Sequence, residues 1–388
     1  MKTVLVIFGG RSPEHDVSIV SAVASVIKPL ELLGDYKVVP VYISKDGAWY
    51  CDERLKDIST YRSGQIDQLI SKSTSPWLEF DGGLQLVKQQ SLGRVRKQRI
   101  DIVFPVMHGS HGEDGSLVGL LEMAGVPYVG CDVPSSALAM DKVLAKQVAA
   151  ASGIATGAWV WLTKRELQAD PKNAKAKIAP LSYPLFVKPA HAGSSIGITK
   201  VASESELDNA LEVAAHYDTK IIVEEAVPNL IEVTLPIMGN DEPTPAFLEQ
   251  PLTSSDTFFD FETKYMNGGK KKMPGKKGGK LGAHGYSNLP AKLPGNLYQQ
   301  AESLGLDVYK ALGCSGTARV DMLIDSKAEK VYFNEVNPMP GSLYAHNWRA
   351  TGVSGTELVK RLIRLAEERH AEAEKVQTSF STNYLKQF

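Results

Sequence analysis

A chain of 388 residues with 43% hydrophobic content has the length for two or three domains, each with a sizeable core. Its 43 Lys+Arg balance 44 Asp+Glu, for a formal net charge of -1, so no global field points to nucleic acid or to an anionic membrane. The opening MKTVLVIFGGRSPEHD holds an apolar run too short for a secretory signal or a membrane span, and a cytoplasmic location is expected.

In chain order, β-type runs (TVLVIF, KVVPVYI, DIVFPVM) alternate with helical stretches (VSIVSAVASVIKPLELL, GSLVGLLEMAG). That alternation predicts an open, mostly parallel α/β sheet of Rossmann-like kind over 1–131. Within it, the polar stretch from Ser44 to Arg99 is poorly periodic and predicts a hairpin or excursion. A single helix over SSALAMDKVLAKQVAAASG, ended by Gly153, opens a second unit at 132–224 with strands near AWVWL, LFVKPA, ITKV and IIVEEA. The third unit, 225–388, runs through EVTLPIM, ARVDMLI and KVYFNEVN to an amphipathic helix, GTELVKRLIRLAEERHAEAEK. Cys51, Cys131 and Cys314 are scattered without CxxC spacing. They are read as reduced and structural, not as a disulfide framework or a zinc site.

Four stretches carry chemistry. FGGRSPEHDVSIVSA ends a strand in two glycines and leads into a helix, with Glu14 either an ordinary helix-start charge or a ligand contact at the carboxyl end of a parallel strand. FPVMHGSHGEDG crowds His108, His111, Glu113 and Asp114 among glycines, but the spacing is wrong for a helical zinc pair. LFVKPAHAGSSIGITKV sets Lys188 before a small-residue loop whose N–H groups can cradle phosphate, and a plain hairpin turn explains Gly193 and Gly197 about as well. In GTARVDMLID and KVYFNEVN, residues two apart share a face, so Arg319 pairs with Asp321 and Glu335 with Asn337. An antiparallel hairpin lets these pairs converge into a hard oxygen set suited to Mg²⁺ on nucleotide phosphates. Between Tyr265 and Gly285, YMNGGKKKMPGKKGGKLGAHG reads either as a solvated connector or as a lid whose lysines meet phosphate.

Together these motifs resemble the ATP-grasp superfamily and, within it, the D-alanine–D-alanine ligases. The likeness covers nearly the whole chain: GGRSPEHDVSIVSA, HGSHGEDG, MDK at 140–142, VKPAHAGSSIG, VEEAV, FFDFETKY, GCSGTARVD and NEVNPMPG. It implies an N-terminal Rossmann-like domain before an ATP-grasp fold. It also implies a two-step reaction, in which ATP phosphorylates the carboxylate of one D-alanine and the amine of a second attacks the acyl phosphate. By this resemblance Lys142 and Lys188 contact ATP phosphates, along with Ser194, Ser195 and Lys264. Glu224 or Glu225 and the backbone near Val227 form the purine site, and Glu232 holds the ribose. Asp321, Glu335 and Asn337 are implied ligands of two Mg²⁺ ions, with Mn²⁺ a possible substitute. Arg319 and the Gly341 N–H make an oxyanion site, Glu14 holds the first D-alanine's ammonium, and His108 lies beside its carboxylate. Ser194 and Tyr265 tie the central loop to the lid. The implied assembly is a homodimer with small-molecule substrates only.

Two departures matter. The lid segment is longer and richer in lysine than the family pattern, and SLYAHNWR follows Gly341 where many members carry a small hydroxyl residue and then Leu. His346 and Asn347 fill that acceptor region, leaving D-serine, D-lactate or another small amino acid as alternative acceptors. Tyr265 favours an amino acid over D-lactate by analogy. A nucleotide-binding regulator without turnover is the reading from another class, and the joint presence of Arg319, Asp321, Glu335 and Asn337 argues against it.

Overall fold

The computed structural model describes residues 1–89, 93–252 and 287–388. Lys264, Tyr265 and the Lys/Gly-rich stretch at 265–285 lie outside the described residues.

The first unit contains β1 (Lys2–Gly9), α1 (His15–Ser21), α2 (Lys28–Leu33), β2 (Tyr36–Ile43) and β3 (Trp49–Tyr50). Two short helices, α3 (Ile58–Arg62) and α4 (Gln65–Ile70), precede β4 (Trp77–Phe80), β5 (Leu84–Gln89), β6 (Val95–Arg99), β7 (Ile102–Met107) and α5 (Ser116–Met123). Its main sheet has the order β3-β2-β1-β7, with β1 parallel to both β2 and β7. The continuous apolar run of β1 follows from burial on both faces. Val4, Val6 and Phe8 enter one core while Leu5 and Ile7 enter another. The excursion expected over the polar stretch is larger than a hairpin: β4, β5 and β6 form a separate three-stranded antiparallel sheet.

The second unit contains α6 (Val133–Met140), α7 (Lys142–Ala151), β8 (Trp159–Thr163), α8 (Lys164–Ala169), α9 (Pro171–Ile178), β9 (Leu185–Pro189), β10 (Thr199–Val201), α10 (Leu207–Tyr217) and β11 (Lys220–Glu225). The single helix expected over 135–153 is two. Asp141 takes an extended conformation, φ -90° and ψ 101°, and its carboxylate accepts the N–H groups of Val143 and Leu144, restarting the helix at Lys142. The four strands form an antiparallel sheet in the order β10-β9-β11-β8.

The third unit contains β12 (Leu230–Gly239), β13 (Thr244–Pro245), β14 (Gln250–Pro251), β15 (Ser287–Asn288), α11 (Leu297–Ala311), β16 (Gly316–Asp325), β17 (Lys330–Asn337), α12 (Ala345–Ala350) and α13 (Gly355–Glu374). Its sheet runs β13-β12-β16-β17. The last helix packs both on its sequence neighbours and on the first unit: Leu358, Val359, Leu362 and Ile363 share one core with Trp348 and Val353 and with Val4, Val6 and Phe8. Arg369 reinforces this by donating to the carbonyls of Tyr128 and Gly130. Cys51, Cys131 and Cys314 are all free thiols, the last two buried. No described helix is long and apolar enough to cross a membrane.

Candidate active site

Loops at the carboxyl end of the first sheet converge with a loop of the second unit on one carboxylate, Glu14. Ser194 Oγ donates to Glu14 Oε1 across 180 residues of sequence. Small residues allow both approaches: Gly109 adopts φ 70° and a Cβ there would meet Ser12 Oγ at 2.5 Å, while a Cβ on Gly193 would displace the Glu14 carboxylate, meeting Oε2 at 2.9 Å. His108 is buried behind Glu14, with Nε2 3.0 Å from Ser21 Oγ and Nδ1 3.8 Å from Glu113 Oε1. Burial opposes its charge, but the hydrogen bond and charge of Glu113, together with the Glu14 charge and the Met339 backbone, outweigh it and raise its pKa. The remaining acidic residue of that motif, Asp114, accepts the backbone N–H groups of His111 and Ser116 in a local turn.

A second cluster gathers lysines. Lys142, the first residue of α7, reaches Ala192 O at 2.8 Å and Glu335 Oε2 at 3.1 Å. In the β9–β11 pairing Ile222 opposes Lys188 and Glu224 opposes Phe186, so Lys188 and Glu224 share a face. Lys188 forms an ion pair with Glu224 Oε2, while Lys146 holds Glu224 Oε1 at 2.7 Å. Burial alone would raise the Glu224 carboxyl, but the two lysines hold it well below the ordinary range. Glu225, on the opposite face, accepts the N–H of Ser182 at 2.8 Å, which separates the two glutamates that the sequence leaves as alternatives. Val227 lies half-buried just after the strand, and Glu232 on β12 contributes charge toward Lys188.

The hairpin supplies the oxygen set. Asp321 lies directly opposite Glu335, and Arg319 opposite Asn337. The register shifts after Asp321 so that Met322 meets Phe333, leaving Asn334 as a bulge beside Glu335. Arg319 grips Asp321 with Nε at 2.6 Å and Nη2 at 2.5 Å, and Asn337 Nδ2 donates to Asp321 at 3.1 Å. Lys146 enters here too, donating to Phe333 O at 3.2 Å, the residue before the bulge. Two carboxylates and one amide oxygen suit a hard divalent cation, and no third His, Cys, Asp or Glu joins them among the described residues. Such a cation would need phosphate and water oxygens to complete its shell.

After Gly341 the backbone turns left-handed for three non-glycine residues, with φ of 51° at Ser342, 54° at Leu343 and 50° at Tyr344. Each such residue costs about 1–2 kcal/mol, so surrounding contacts must hold the turn. Ser342 N–H donates to Ser21 Oγ at 2.8 Å, Leu343 is buried, and the Tyr344 ring lies 5.1 Å from the Arg319 guanidinium. Burial pushes the Tyr344 hydroxyl up to about 12. The turn delivers His346, whose Nε2 sits 2.8 Å from Glu249 Oε2, and Asn347, whose Nδ2 donates to Phe247 O at 2.8 Å.

Glu14, Ser194, Lys142, Lys188, Glu335, Asp321 and Arg319 are thus joined through loops and strands of three sheets. Sequence reasoning missed Lys146, Ser21 and Glu249. Lys146 had a readable signal, being four residues from Lys142 and on the same helix face. Ser21 and Glu249 act through partners hundreds of residues or a sheet away, and no local pattern marks them.

Residues 3–131 match the family described as D-ala D-ala ligase N-terminus, and residues 148–364 match D-ala D-ala ligase C-terminus. A D-alanine–D-alanine ligase of Acetivibrio thermocellus is 37% identical over 95% of this chain and 96% of its own length. The solved D-alanine–D-alanine ligase of Coxiella burnetii superposes with a TM-score of 0.76 at 28% identity, covering 96% of each chain. The VanG D-Ala:D-Ser ligase of Enterococcus faecalis gives 0.73 at 32% identity, covering 94% of this chain and 99% of that one.

Proposed function

The chain belongs to the D-alanine–D-alanine ligase family, and from that membership we infer that it joins two D-alanines into D-alanyl-D-alanine, converting ATP to ADP and phosphate. Its fold is ATP-grasp preceded by a Rossmann-like domain, and the product serves peptidoglycan precursor synthesis. The observation that carries the assignment of roles is the convergence of Glu14, Lys142, Lys188 and the Arg319–Asp321–Glu335 set from three separate sheets.

In the first half-reaction a carboxylate oxygen of one D-alanine attacks the γ-phosphorus and ADP leaves. Several negative charges meet, and catalysis is mainly positioning plus charge neutralisation. Lys142 and Lys188 hold the phosphates with the Ser194–Ser195 loop. Glu224, bound by two lysines, acts by fixing Lys188, so the purine edge falls to the backbone from Glu225 to Val227, with Glu232 on the ribose. Asp321, Glu335 and Asn337 would hold two Mg²⁺, or Mn²⁺ in their place, which when bound supply Lewis-acid charge on the phosphates. Glu14 orients the ammonium of the first D-alanine and His108 faces its carboxylate.

In the second half-reaction the amine of the acceptor attacks the acyl carbon, loses a proton, and phosphate departs. Arg319 and the Gly341 N–H stabilise the oxyanion, an effect worth about 3–4 kcal/mol per donor in other enzymes. His346, held by Glu249, lies in the acceptor region. The same reading includes a cytoplasmic homodimer, as the resemblance implies. Purified protein with ATP, Mg²⁺ and D-alanine should release phosphate and form the dipeptide, and a panel with D-serine and D-lactate should favour D-alanine. Absence of both products would sink the assignment.

A further inference from the structure

His191 belongs to the loop between β9 and β10 and is unlike its small neighbours. Its Nδ1 lies 2.9 Å from Asp218 Oδ2, its own N–H donates to that oxygen at 2.7 Å, and its Nε2 lies 3.2 Å from Asp141 Oδ2. The charged groups facing it are Asp141 from the start of α7, Asp218 from the end of α10, and Lys220 from β11, whose Nζ is 2.6 Å from Asp141 Oδ2. With a carboxylate at each ring nitrogen, only the doubly protonated imidazolium can donate both ways.

What this ring secures is the register of the loop on α7. Asp141 caps that helix, Lys142 N–H donates to Ala190 O at 3.1 Å, and Lys142 Nζ donates to Ala192 O at 2.8 Å while pairing with Glu335. Residues 190, 191 and 192 are therefore all gripped by the first turn of α7, one of them only through the imidazolium. We propose that His191 is a positioning residue, a charged clasp that seats the Gly193–Gly197 loop against Lys142, so that nucleotide affinity falls when its proton is lost. The proposal rests on reading that loop as the ATP-phosphate cradle.

The hydrogen bonds to Asp141 and Asp218 raise the His191 pKa to about 9 against the opposing effect of burial. The folded value lies above the ordinary one. The clasp is therefore complete in neutral solution and is lost as pH rises through about 9. A neutral ring must turn a lone pair toward one carboxylate, leaving Lys220 as the counter-charge of that pair.

Calorimetric titration of the full chain with a non-hydrolysable ATP analogue tests this independently of turnover. For the unmodified protein, Kd should rise several-fold from about pH 7.5 to about pH 10. His191→Gln should already bind several-fold more weakly at the lower pH and lose the part of the rise centred near pH 9. His191→Lys, which keeps a cation, should bind tightly and with a much shallower rise, and it carries the test if the glutamine variant does not fold. Parallel pH profiles in unmodified protein and either variant would overturn the clasp while leaving the nucleotide site standing. No binding by unmodified protein at any pH would overturn both.

Discussion

In the β16–β17 hairpin each functional side chain sits where strand alternation puts it, with Asp321 opposite Glu335 and Arg319 opposite Asn337. A few residues later, from Ser342 to Tyr344, the chain holds three consecutive left-handed residues that no local preference favours. The first is a shape that its own sequence dictates. The second is imposed by Ser21 beneath it and by packing around Leu343 and Tyr344. The contrast separates a charge-bearing frame from a strained turn that delivers His346 and Asn347.

Three substitutions can break or sharpen that contrast. Glu335→Gln should leave the fold intact, because its side chain is part-exposed on a paired strand, yet lower kcat by on the order of 100-fold, the scale of losing one preorganised charge contact. Unchanged turnover would remove this carboxylate from the metal set. Ser21→Ala removes the acceptor of Ser342 N–H and the partner of His108. It should lower stability by about 1–3 kcal/mol in denaturant titration, and a midpoint equal to that of the unmodified chain would show that the turn holds itself. The smallest effect should come from Ser342→Gly, which relieves one positive φ and is expected to add about 0.5–1 kcal/mol. A lowered midpoint there would mean that the turn is not strained.

Sequence legibility follows the same division. The parallel first sheet, the antiparallel hairpin and the residues on its functional face follow from apolar runs and two-residue periodicity, which are local signals. The break at Asp141 was hidden because MDKVLAKQ continues an apolar helical pattern, and only the extended backbone reveals a cap inside it. Glu224 and Glu225 could not be told apart until the β9 register showed which one faces Lys188. Lys146, buried between Glu224 and the carbonyl of Phe333, looked like one more helix lysine because its partners come from a distant strand of its own unit and from the third unit. The turn after Gly341 was least legible for the physical reason that its backbone is held from outside.

The last helix adds an order in time. Leu358, Val359, Leu362 and Ile363 complete the core begun by Val4, Val6 and Phe8, so that face of the first sheet stays partly uncovered until α13 has left the ribosome. Chains of this size tend to fold unit by unit from the N-terminus, and contacts of such long sequence separation form late. The loop that presents Glu14 is thereby secured late, and a nascent chain holds no finished surroundings for that carboxylate before α13 has emerged.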